Sequence, residues 1–176
     1  MLFKSGKYRT LFDKYKNDVY SYALFLLKSE FDAEDAAQEV FIKLWNNMGK
    51  FKQSKAKQWL MSTTHNICID MLRKRQRNID RNLSFEDEIF VDSVDGNSLS
   101  YNHNVDSIQL LDTIEEAMKQ LPVKLRSVFV LYELHGFKYK EIAEILELPI
   151  NSVKVYLLRA RKLLQKILTK YEVEKV

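Results

Sequence analysis

GFKYKEIAEILELPINSVKVYLLRARKLL, residues Gly136 to Leu164, carries two helical patterns around a very short break. Tyr139 to Leu146 reads as a short helix with Ile142, Ala143 and Leu146 turned inward. Glu147-Leu148-Pro149 makes the turn, with Leu148 plugging the corner. From Ile150 or Asn151 a longer helix runs to about Lys170, burying Val153, Tyr156 or Leu157, Ala160, Leu163 and Leu164. Small Ala143 lets the two helices approach closely. This is the sequence logic of a helix-turn-helix, whose second helix enters a DNA major groove. The alternative is a helical hairpin inside an ordinary bundle. Three features weigh against it: the turn is tight and ends at a proline, the polar positions of the second helix are basic, and its first exposed residues (Asn151, Ser152, Lys154, Val155) are short or groove-compatible.

Working outward, the 176 residues suffice for one ordinary domain or two small ones. Only four glycines and two prolines interrupt them, which favours helices over a turn-rich β fold. The net charge of +4 says less than its distribution. Gly49 to Arg77 holds eight Lys/Arg and one acid, Asp70; Ile150 to Lys170 holds six Lys/Arg and no acid; Asp80 to Asp106 holds seven acids and one base, Arg81. Two basic blocks around an acidic one fit a polyanionic partner, or equally two solvated helix faces and a solvated loop.

The expected fold is all-α, two small helical domains joined by an acidic linker. Residues 1–77 form the first domain. One helix spans about Ser5 to Lys28, and a second runs to Asn47 with Asp32 as its N-cap. A third starts near Ser54, after a polar connection around Gly49, and ends near Arg77. Residues 78–105 lose helical periodicity and read as a flexible linker with isolated Phe85, Ile89, Phe90 and Val91. Such a chain spans ~30 Å relaxed and ~90–100 Å stretched. Residues 106–176 form the second domain, with a helix stopping at Pro122 and another from there toward Gly136.

On the last helix, Lys154 and Arg159 are placed to donate to guanine or to phosphate, and Ser152 with the N–H groups at the helix start suits a phosphate oxygen. Each good bidentate base contact gives ~1–3 kcal/mol of discrimination. One such helix cannot find a genomic site alone, so it needs a dimer partner, a second DNA module or a larger assembly. A second basic module is present. Lys50-Phe51-Lys52-Gln53-Ser54-Lys55-Ala56-Lys57-Gln58-Trp59 interleaves cations with aromatics, and Ser62, Asn66, Ile69 and Arg73 share a stripe on the following helix with His65 beside it. Aromatic, amide and cationic groups together fit unstacked bases. Trp59 alone reads better as core; Asn66 has no local capping task and reads better as functional.

The whole chain resembles the extracytoplasmic-function (ECF) sigma factors, two-domain initiation factors of bacterial RNA polymerase. The resemblance covers roughly residues 5–77 and 106–170. Asp32-Ala33-Glu34-Asp35-Ala36-Ala37-Gln38-Glu39-Val40-Phe41-Ile42-Lys43-Leu44-Trp45 is similar to the family's polymerase-binding helix. Trp59-Leu60 with Asn66, Asp70 and Arg73-Lys74 is similar to its reader of the −10 promoter element. Leu121-Pro122, Arg126, Gly136, Glu141-Ile142-Ala143, Ser152-Val153-Lys154 and Arg159-Ala160-Arg161 resemble its helix-turn-helix, which reads the −35 element.

The resemblance implies core-polymerase contacts at Asp35, Gln38, Glu39, Phe41 and Trp45, on the clamp helices of the largest subunit, with the flap of the second-largest subunit as a further contact. It implies −10 DNA contacts at Lys50, Phe51, Lys52, Lys57, Trp59, Ser62, His65, Asn66, Asp70, Arg73 and Lys74. It implies −35 contacts at Asn151, Ser152, Lys154, Val155, Leu158, Arg159 and Lys162. Asn151 stands where the family often has glycine, Met61-Ser62 replaces its usual tyrosine or arginine, and Val155 and Leu158 offer apolar contact, which fits thymine methyls or leaves readout to phosphates. An anti-sigma factor or other recruiting protein stays open as a partner.

A polymerase-independent helix-turn-helix regulator with an N-terminal interaction domain is the competing class. Catalysis is not expected, since there is no glycine-rich phosphate loop and no nucleophile–base–acid set. No cofactor, metal or small-molecule substrate is expected: Cys68 is the only cysteine, and His65, His103 and His135 lie far apart. With no leader pattern and no apolar run near ~20 residues, a cytoplasmic protein is expected.

Overall fold

The computed structural model describes residues 2–83 and 105–173. Residues 84–104, most of the expected linker with its isolated apolar side chains, lie outside the described residues. Among the described residues every regular element is helical. The first three helices are α1 (Leu2–Leu27), α2 (Glu30–Asn47) and α3 (Ala56–Leu83). The second domain holds α4 (Val105–Lys119), α5 (Val123–Phe129), α6 (Tyr139–Leu146) and α7 (Ile150–Val173).

The first domain packs α1, α2 and α3 around Val19, Tyr22, Leu26, Ala36, Val40, Leu44, Leu60 and Ile67. The cap of α2 lies three residues before the expected one. Ser29 has the extended backbone of an N-cap, and its Oγ accepts from the Asp32 N–H at 3.3 Å. Asp32 therefore sits inside the first turn, and its carboxylate pairs with Arg75 of α3 instead. A short 3₁₀ turn, Gln53–Lys55, leads into α3, which runs past Arg77 to Leu83.

In the second domain α5 does not continue as a regular helix to Gly136. Val130–Leu134 widens into a π turn, in which the His135 N–H donates to the Val130 carbonyl at 3.1 Å. Gly136, at φ 69°, then reverses the chain into α6. α6 begins where the Lys138 N–H donates to Glu141 Oε2 at 2.8 Å. It presents Ile142 and Ile145 to the core, with Ala143 and Leu146 at the margin. α7 buries Val153, Leu157, Ala160, Leu164 and Ile167.

The corner between α6 and α7 closes at Glu147, which holds a left-handed backbone (φ 53°, ψ 45°). That geometry brings the Leu148 N–H to the Ala143 carbonyl at 3.0 Å. A side chain in this region crowds its own carbonyl, and glycine does not. Glu147→Gly should therefore stabilise the chain by roughly 1 kcal/mol, read as a higher urea midpoint with an unchanged slope.

Candidate nucleic-acid and protein interfaces

Helix α7 leaves Asn151, Lys154, Val155, Leu158, Arg159 and Lys162 exposed at spacings of three and four, so they form one outward face. Leu158 is 54% and Val155 43% exposed, large apolar side chains with cations on either flank. Ser152 is half-buried, and its N–H donates to the Pro149 carbonyl at 2.9 Å, so that group is not free for a phosphate as the sequence had implied. Arg161 folds back: it donates to Glu133 Oε1 from Nε at 2.9 Å and from Nη2 at 2.5 Å, and lies over the Tyr132 ring.

Helix α2 carries a second face. Asp35, Gln38 and Glu39 are exposed, with Glu39 paired to Lys43 at 3.0 Å. Phe41 does not join them. It is 5% exposed and packs edge-on against Phe12 at 4.7 Å, so it belongs to the core. The exposed apolar groups here are Phe31 and Ile42, at 71% and 61%, with Trp45 at the rim against Tyr8. Residues 31, 35, 38, 42 and 45 recur at three and four on the face opposite the core. That spacing was available in the sequence, and a large apolar residue off the buried stripe was the signal for Ile42.

The third face combines the loop after α2 with α3. Lys50 and Lys52 are exposed, and Phe51 stacks on Trp59 at 4.9 Å with an interplanar angle of 13°. Both rings are half-buried against the core, so Trp59 is a supporting platform as well as a surface group. Asn66, Asp70, Arg73 and Lys74 are exposed along α3, and Ser62 is half-buried at the head of that stripe. Asp70 lies 3.6 Å from Arg73, which restrains the guanidinium. Two expected members point elsewhere. His65 turns inward to the Tyr22 hydroxyl, with Nδ1 at 3.1 Å. Lys57 reaches toward the second domain, where its Nζ donates to the His135 carbonyl at 3.0 Å. Among the described residues no group of three or more His, Cys, Asp or Glu is arranged to hold a metal ion, and no helix is long and apolar enough to cross a membrane.

Two family models match the chain: sigma-70 region 2 over residues 11–78 and sigma-70 region 4 over residues 111–164. Among curated relatives, the chain is 29% identical to the ECF RNA polymerase sigma factor SigM of Bacillus subtilis, over 88% of this chain and 91% of that protein. It is 31% identical to SigW of the same organism, over 88% and 84%. Among solved structures it resembles the sigma factor RpoE in complex with the anti-sigma factor NepR from Bartonella quintana, with a TM-score of 0.75, 25% identity, and coverage of 93% of this chain and 97% of that one.

The inward turn of His65 has a titration consequence. Burial, with a smaller contribution from Arg73, pushes its pKa down from 6.5 to about 4. The unfolded chain thus binds the proton more readily than the folded one. The stabilisation is complete above about pH 6.5 and is lost as pH falls from there toward about 4. An NMR titration of the His65 ring should find it neutral down to about pH 4. Urea midpoints should fall between pH 7 and pH 5.

Proposed function

The chain belongs to the ECF sigma factors of bacterial RNA polymerase, and on that footing we propose how its three exposed faces divide the work. As a sigma factor it joins core polymerase and directs initiation at promoter DNA, while the polymerase makes the RNA bonds.

The α2 face docks on the clamp helices of the largest subunit. Asp35, Gln38 and Glu39 supply polar contacts, and Phe31, Ile42 and Trp45 supply the apolar anchors that carry most of such an interface. The Lys50–Lys52 loop, the Phe51–Trp59 platform and the Ser62–Asn66–Arg73–Lys74 stripe hold the −10 strand once it is melted. Stacking and phosphate contacts give affinity there, and the Asn66 amide reads a base edge. The α7 face lies in the −35 major groove. Its apolar centre, Val155 and Leu158, meets thymine methyls, and Lys154, Arg159 and Lys162 meet phosphates or guanine. Two weak readers on one chain gain from effective concentration what neither has alone. The observation that carries this reading is that the cations, Asn66, the polar groups of α2, and the apolar Phe31, Ile42, Val155 and Leu158 stay exposed while both domains complete their cores without them. A protein regulator of the anti-sigma class fits the same faces.

A pull-down with core polymerase tests the docking face. The variant Asp35→Ala/Gln38→Ala/Ile42→Ala should keep its helical circular dichroism and lose affinity by about tenfold or more; unchanged capture would remove α2 as the docking helix. On duplex promoter DNA, Arg159→Ala in the holoenzyme should weaken binding across sequences and lower the salt slope by about 1. Leu158→Ala should leave the slope alone and abolish the penalty of replacing −35 thymines by deoxyuridine.

A further inference from the structure

Helix α2 does not shape its docking face alone, because the start of α1 packs on its end. The Tyr8 ring meets the Trp45 ring edge-on at 5.3 Å, with 87° between the planes. On its other side Tyr8 stacks on Phe12 at 6.1 Å and 24°. Phe12 in turn meets Phe41 at 4.7 Å. Four rings thus run in a line from the buried Phe41 to the rim at Trp45. Lys16 Nζ lies over the Phe12 ring at 5.7 Å and 3.8 Å from Asp13, which Arg9 approaches at 3.9 Å. The line therefore has a charged rim, as the margin of a protein interface does.

Tyr8 stands outside the core that this line ends in. Among the described residues of α1, Leu11 is the first buried side chain, and Tyr8 is half-buried one turn before it. Its printed partners are the two rings, Phe12 and Trp45. An indole on the outer face of a helix samples several rotamers and must give them up on binding. An edge-on neighbour of this kind is the arrangement that aromatic quadrupoles favour, and it restricts the indole beforehand. Phe31 and Ile42, on the same face of α2, stand further out than Trp45.

We propose that Tyr8 is a positioning residue for polymerase docking. Its ring holds Trp45 in the orientation in which the indole meets the clamp helices, and Phe12 and Phe41 tie that orientation to the core. The docking surface then spans the corner of α1 and α2, and the chain enters the complex with its largest anchor already set. This rests on the assignment of the α2 face to the clamp helices.

The test uses the full chain labelled with fluorotryptophan. Its two tryptophans, Trp45 and Trp59, give two fluorine NMR resonances, and Trp45→Phe assigns them. Tyr8→Ala should move the Trp45 resonance toward its unfolded position and leave that of Trp59 in place, while Tyr8→Phe keeps both. Affinity for core polymerase should fall about fivefold in Tyr8→Ala, match wild type in Tyr8→Phe, and fall no further when Tyr8→Ala is added to Trp45→Ala. Tyr8→Leu, which keeps apolar bulk without the ring, should reproduce the shift and the weaker binding at a nearly unchanged urea midpoint. Tyr15→Ala, about two turns further along α1, is the control for helix stability: it should lower the urea midpoint and leave the Trp45 resonance and the affinity alone. If Tyr8→Ala and Tyr8→Leu bind core polymerase like wild type while Trp45→Ala is weakened, the positioning role is overturned and α2 remains the docking helix. Equal weakening by Tyr8→Ala with and without the Trp45 side chain also overturns it. If Trp45→Ala combined with Asp35→Ala/Gln38→Ala/Ile42→Ala leaves capture unchanged, the docking assignment beneath the proposal fails.

Discussion

The Tyr22 hydroxyl sets the terms for much of the molecule. The residue is fully buried on α1, facing both α3 and the second domain. A phenol can be buried there only if its O–H finds partners. It finds His65 Nδ1 at 3.1 Å. Burial raises its pKa and lowers that of His65, so both groups stay neutral where they meet. Asn66, the next residue, lies about 100° further round α3 and is exposed. Tyr22 thus meets His65 of α3 and the His135 ring of the second domain at one point.

The fold was legible wherever local chemistry acts alone. The α6 limits and the start of α7 follow from periodicity and from Pro149, and both appear as expected. The differences arise where a long-range contact overrides a local preference. Asp32 is as good a cap as Ser29 by residue type, but Arg75, distant in sequence, claims its carboxylate. The π turn at Val130–Leu134 has no composition signal, because its residues are ordinary helix and strand formers. Glu147 occupies a left-handed position that residue statistics reserve for glycine, held there by the closure of the corner.

The faces were legible to a similar degree. Exposed cations and amides on α3 and α7 could be placed from helical spacing alone. Phe41 falls in the buried stripe of α2 by the same spacing, with Ala33, Ala36, Val40 and Leu44; only the family resemblance set it on the docking face, and its ring packs on Phe12. Lys57 reads from sequence as one more cation in a basic loop. Its commitment to His135 and Asp18 depends on the docking of two domains, which no local pattern encodes.

The pairing of Asp32 with Arg75 joins the beginning of α2 to the basic end of α3. α3 is 28 residues long, ~42 Å of continuous helix. Fastened at that end and packed along α1 and α2 elsewhere, it behaves as a splint. Asn66 and Arg73 ride on the same rod that α2 is fastened to. On the proposed division of faces, the first domain offers the DNA one angle of attack, like a tool held by its handle.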